Sequence, residues 1–121
     1  MSKKIMTVDD SPSIRMLLRV ALTNLGFEVL EAEDGQVALE RIKEILPDLV
    51  ITDINMPRLD GFGLIEAIRQ DDRKKLMPIL VLSTEFSPEK KQRARTAGAT
   101  GWLVKPFQPD SLAAAISRVL H

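Results

Sequence analysis

Five short apolar runs divide the chain at intervals of about 20 to 30 residues: Ile5–Val8, Val29–Ala32, Leu49–Thr52, Ile79–Ser83 and Trp102–Val104. The third and fourth are apolar at nearly every position, which is how a strand buried on both faces reads. The segments between them carry a helical period. Ile14, Leu17, Leu18, Ala21, Leu22 and Leu25 share one face of a helix, and Leu112, Ala115, Ile116, Val119 and Leu120 share a face of the last one. Ser11 is placed to cap the first helix, with Pro12 in its first turn and Gly26 at its exit. Asp34 and Asp60, each followed by Gly, are placed to cap the second and third, and Ser87-Pro88 opens the fourth, expected over Ser87–Ala97. Strand and helix therefore alternate five times. That order predicts an α/β fold with a parallel sheet, right-handed crossovers and helices on both faces, a doubly wound (βα)5 arrangement.

The chain has 121 residues, enough for one domain that buries a core without staples. It holds no cysteine, which excludes thiolate metal sites, disulfides and thiol nucleophiles. Its single histidine is the last residue, His121, so histidine catalysis and histidine-ligated metals are not expected. No apolar run is long enough to span a membrane and no signal peptide is visible, so a cytoplasmic location is expected. Lys plus Arg number 17, as do Asp plus Glu. Without a basic excess, nucleic acid is not an expected partner. The balance conceals an asymmetry: residues 1–60 hold 11 acids and 7 bases, residues 61–121 hold 6 acids and 10 bases. An acidic site is expected from the first half and a basic surface from the second.

In doubly wound folds ligands bind beyond the carboxyl ends of the strands. Asp9 and Asp10 follow the first run, Asp53 the third with Asn55 two residues on, Ser83, Thr84 and Glu85 close the fourth, and Lys105-Pro106 follows the fifth. If strands one, three, four and five are neighbours, three carboxylates, a hydroxyl and an ammonium converge on one rim. Clustered carboxylates repel, and a hard divalent cation such as Mg2+ relieves this with oxygen ligands. With Lys105 and Ser83 added, the inventory suits the charge of a transferring phosphoryl group. The turn after the first strand, Asp-Asp-Ser-Pro-Ser, is no glycine-rich phosphate loop, so ATP is not an expected ligand.

With Val8-Asp9-Asp10-Ser11, Asp53-Ile54-Asn55-Met56-Pro57-Arg58-Leu59-Asp60-Gly61, Ala97-Gly98-Ala99 and Val104-Lys105-Pro106-Phe107 in register, the chain resembles the receiver domains of two-component response regulators. Within them it is most similar to stand-alone chemotaxis regulators of the CheY type. The resemblance covers the whole chain and implies the flavodoxin-like strand order 2-1-3-4-5 in a single domain with no output domain. It implies that Asp53 accepts a phosphoryl group from a histidine kinase. Asp10 corresponds to a direct Mg2+ ligand, Asp9 to one acting through water, and Asn55 to the position whose backbone carbonyl completes the metal shell. Ser83 corresponds to the switch hydroxyl, Lys105 to the lysine bridging to the phosphoryl group, and the bond before Pro106 is expected cis. Asn55 and Glu85 stand where such proteins tune the phosphoryl lifetime, and the pair implies fast self-dephosphorylation.

Two departures stand out. Trp102 occupies the aromatic switch position usually held by Tyr or Phe; its bulkier indole accepts no hydrogen bond, which restricts or recouples ring rotation. The fourth helix is unusually polar, with Lys90, Lys91, Arg93 and Arg95 and only Ala94 and Ala97 as apolar contacts. The resemblance implies that this helix, the fifth strand and the fifth helix form the partner surface, which would here be basic. A flagellar motor switch protein or another chemotaxis component is the expected partner of a monomer. The methionines Met6, Met16, Met56 and Met77 read as packing residues.

Other readings use parts of the same inventory. A phosphate sink or phosphorelay carrier would use the same site. A phosphatase of the haloacid dehalogenase type needs a second Asp two residues after its nucleophile, where Asn55 stands. A flavodoxin-like binding module would meet repulsion between FMN phosphate and Asp9-Asp10. A receiver that never accepts phosphate usually lacks one of the acidic, hydroxyl or lysine positions, all present here.

Overall fold

The computed structural model describes residues 2–72, 74, 76–84 and 87–120. Five strands, β1 (Lys4–Val8), β2 (Glu28–Ala32), β3 (Leu49–Thr52), β4 (Ile79–Ser83) and β5 (Gly101–Val104), alternate with five helices. The helices are α1 (Pro12–Asn24), α2 (Gly35–Glu44), α3 (Gly61–Gln70), α4 (Pro88–Ala97) and α5 (Pro109–Val119). All strand pairs are parallel, and the sheet order is β2-β1-β3-β4-β5. This is the doubly wound α/β fold expected from the sequence, with each strand start within one residue of its apolar run.

Alternate strand residues point to opposite faces, and here both faces are dry. Ile5, Leu49, Ile51, Leu80 and Leu82 pack with Leu18 and Leu22 of α1 and Leu112 and Ile116 of α5. Met6, Val8, Val50, Ile79 and Val81 pack on the other side with α2, α3 and Ala94 of α4. That two-sided burial is why β3 and β4 carry no polar alternation.

The caps follow the sequence. Ser11 accepts from the Ile14 N–H, Asp34 from Val37, Asp60 from Gly63 and Ser87 from Lys90. Each satisfies a helix-end donor that has no intrahelical partner.

Helix α1 differs from expectation. Of its predicted apolar face, Leu18 and Leu22 are buried, but Leu17 and Leu25 are about half exposed, and so are Met16 and Val20. The sequence stripe is wider than the sheet edge it covers. Met16, read as a packing residue, therefore lies outside the core, whereas Met6 and Met77 are inside it and Met56 packs against it. The uncovered side chains line a cavity of about 560 Å3 between α1 and Phe107 and Pro109 at the start of α5. Among the described residues, no helix is long and apolar enough to cross a membrane.

Candidate functional site

In this sheet order the chain reverses direction of growth between β1 and β3, so the ligand crevice of a doubly wound fold opens beyond their carboxyl ends. Val8 pairs with Thr52 in register. The next residues, Asp9 and Asp53, are thereby brought side by side. Their backbones are fixed by one more ladder bond each, Asp9 N–H to the Ala32 carbonyl at 3.1 Å and Asp53 N–H to Val8 at 2.9 Å. Lys105 arrives likewise, its N–H donating to the Ser83 carbonyl at 2.9 Å.

The side chains then meet. The Lys105 ammonium donates to Asp9 Oδ2 at 2.7 Å and to Asp53 Oδ2 at 3.0 Å. Asp9 is 2% exposed, and Asp53 and Lys105 are each 11% exposed, so the trio is nearly dry. The remaining carboxylate oxygens are held by backbone donors: Ser11 N–H to Asp9 Oδ1 at 2.9 Å and Ile54 N–H to Asp53 Oδ1 at 2.7 Å. Burial alone would lower the Lys105 pKa. The hydrogen bonds to Asp9 and Asp53, with their charges, outweigh it and raise the pKa above the ordinary lysine value. The bond between Lys105 and Pro106 is cis, as the resemblance implied.

Asp10 is exposed at the mouth of the cleft. Asp9, Asp10 and Asp53 each offer an oxygen, all within 4.8 Å of one another. This all-oxygen, multiply anionic donor set, open on the Asp10 side, fits a hard divalent cation that keeps some of its water. Ser83 closes β4 and is fully buried, and Asn55 is exposed on the loop after Asp53. The crevice thus gathers carboxylates around a candidate cation site, with two of them, Asp9 and Asp53, also held by a fixed ammonium. Such an arrangement suits the charge of a phosphoryl group.

A family model described as the response regulator receiver domain matches residues 5–117. The chain belongs to that family. Chemotaxis response regulator CheY4 of Vibrio cholerae superposes with a TM-score of 0.94 at 46% identity, over 99% of this chain and 100% of that one. Chemotaxis protein CheY-3 of Vibrio cholerae is 37% identical over 98% of this chain and 92% of its own length. The transcriptional regulatory protein PhoP of Bacillus subtilis, which its name ties to alkaline phosphatase synthesis, is 36% identical over all of this chain but 50% of its own length. The chain spans about half the length of several curated relatives it matches. It is thus a receiver domain of two-component signalling, a switch module, with the CheY fold.

The remaining expected residues are placed as follows around α4 and β5. Lys91 and Arg95 flank Trp102 around a small cavity on the α4–β5 side, about 60 Å3 in volume, and Trp102 packs partly buried against the core. Lys90 is half-buried near the start of α4. Arg93 is exposed on α4, and its guanidinium lies over the Phe62 ring of α3, 4.0 Å from the centroid, so it also joins α4 to α3. Glu85 lies outside the described residues.

Two features of the site were not read from the sequence. Arg15 donates to the backbone carbonyl of Asp9 at 2.6 Å and pairs with Glu31 on β2 at 3.4 Å, bracing the acidic turn. Arg58, in the loop after Asp53, grips Asp34. Both partnerships join residues on different elements, which no local pattern signals.

Proposed function

We propose that this receiver accepts a phosphoryl group on Asp53 from a histidine kinase. The supporting observation is the Lys105 ammonium between Asp9 and Asp53, in a cleft where three carboxylates come within 4.8 Å. In the step, an Asp53 carboxylate oxygen attacks phosphorus, the P–N bond of the phosphohistidine breaks, and the imidazole nitrogen leaves with the electron pair. Asp9, Asp10 and Asp53, with the Asn55 backbone carbonyl, are the groups that would hold Mg2+. When bound, that ion supplies charge neutralisation for the incoming phosphoryl oxygens.

Lys105 then exchanges a carboxylate partner for a phosphoryl oxygen, and the Ser83 hydroxyl is the donor for another. Their movement toward the phosphoryl group shifts the population of the α4–β5–α5 face, where Lys91, Arg95 and Trp102 lie, toward a docking form. Self-dephosphorylation is tuned at Asn55 and Glu85. The end-to-end match to CheY4 and CheY-3 supports a chemotaxis output through a flagellar motor switch or another chemotaxis protein. A second reading, the receiver part of a longer regulator, is favoured by the half-length match to PhoP. A phosphate sink would use the same Asp53.

Intact mass after incubation with acetyl phosphate tests the chemistry. The expected result is a single phosphoryl adduct that requires Mg2+, is lost in Asp53→Asn and decays within minutes. A folded, magnesium-loaded protein that stays unmodified with both acetyl phosphate and phosphorylated kinase would remove the reading.

A further inference from the structure

The loop from Asp53 to Gly61 carries the site's Asn55, and its ends are fixed by backbone. Asp53 N–H bonds to Val8 and Gly61 N–H to the Ile54 carbonyl at 2.8 Å. No side chain fits at Gly61, because a Cβ there would collide with the Asp53 carbonyl. Between these anchors Met56 and Leu59 pack against the core. Arg58 has φ 66°, the only non-glycine residue among those described in the left-handed region. No β-turn glycine or asparagine eases it, so the conformation costs free energy unless something holds it.

The holder is Asp34, at the start of α2. Arg58 Nε and Nη2 both donate to Asp34 Oδ2, at 2.8 and 2.6 Å, while Asp34 Oδ1 caps Val37 at 2.9 Å. Beside this fork the Gly35 N–H donates to the Leu59 carbonyl at 3.1 Å. The Asp34 side chain is 5% exposed although Arg58 is mostly in solvent. Thus a buried carboxylate on one element grips the strained centre of the loop that carries Asn55, three residues before Arg58.

We infer that the Asp34–Arg58 ion pair is a latch that positions the Asn55 segment over the site, making both side chains positioning residues for magnesium affinity and phosphoryl lifetime. The inference rests on the Asp53 phosphoacceptor reading. Neither side chain touches the reacting atoms. Their effect passes through the loop, as partners behind a metal ligand tune it.

The test compares the native protein with Arg58→Gly, Arg58→Lys and Asp34→Asn. Glycine removes the grip but accepts the backbone conformation, so folding is preserved. Lysine keeps charge without the fork. Asparagine keeps the helix cap without the charge. Three quantities are read: hydrogen exchange of the bonded Gly35 and Gly61 amides without metal, Mg2+ affinity by calorimetry, and adduct half-life at saturating Mg2+. Arg58→Gly and Asp34→Asn are expected to exchange about tenfold faster at the Gly61 amide, which anchors the loop on Ile54. They should bind Mg2+ about tenfold more weakly and hold the phosphoryl group about threefold longer, with Arg58→Lys between. Native-like values of all three in the variants, with or without a lower melting temperature, would make the pair purely structural and overturn the inference. A native protein that forms no adduct would overturn the phosphoacceptor reading itself, and the inference with it.

Discussion

Lys105 neutralises two carboxylates that are almost out of water, and its loss leaves both without their ammonium. Truncating one partner of such a pair exposes the desolvation penalty of the other. Lys105→Ala is therefore expected to lower metal-free stability by about 2 kcal/mol in urea unfolding. Millimolar Mg2+ should narrow that gap, because a cation then replaces the ammonium.

Asp34 gives a pH signature of its own. Its burial alone would raise its pKa, but the Val37 N–H and Arg58 outweigh that and hold it below the ordinary value of 3.8. A lowered carboxylate pKa contributes stability above the unfolded value and loses it as pH falls through the folded one. The stability difference between native protein and Asp34→Asn should thus be constant at neutral pH and shrink below 3.8. Unfolding midpoints across that range check it. Asp9, Asp10, Asp53 and Lys105 were legible in the sequence because each lies within two residues of the end of an apolar run. Arg15 and Arg58 were not, because Glu31 and Asp34 are brought to them only by the fold.

Helix α1 shows where element-scale reading runs out. Periodicity placed Ile14, Leu17, Leu18, Ala21, Leu22 and Leu25 on one stripe; Leu18 and Leu22 are buried and Ile14 and Ala21 pack beside them, yet Leu17 and Leu25 stay about half exposed. A helix presents more apolar arc than one sheet face covers, and sequence period does not mark which edge is left over. The difference is measurable. Leu18→Ala is expected to cost about 2–5 kcal/mol by opening a cavity, and Leu17→Ala under about 0.5 kcal/mol. Paired denaturation curves decide it. The capped helix starts at Ser11, Asp34, Asp60 and Ser87 were readable because the side-chain acceptor and the donor it satisfies are three residues apart. Helix α4 was legible in its polarity and in its apolar contacts, since Ala94 is buried and Ala97 packs against the core, but the contact of Arg93 with Phe62 was not.

At the scale of the whole molecule, the strand order brings together residues as distant in sequence as Asp9 and Lys105, and that convergence makes a site of scattered charges. Its alternation was legible because a helix follows every strand. The order of strands in the sheet was not fixed by periodicity and came from the family resemblance. Of the three carboxylates that converge, Asp53 is the one proposed to accept the phosphoryl group. Borohydride trapping after acetyl phosphate treatment with Mg2+ tests it most directly, since it reduces an aspartyl phosphate to homoserine at the modified position. Peptide mass analysis is predicted to find homoserine at position 53 alone. Homoserine at position 9 or 10, or at none of the three in protein carrying the adduct, would contradict the account.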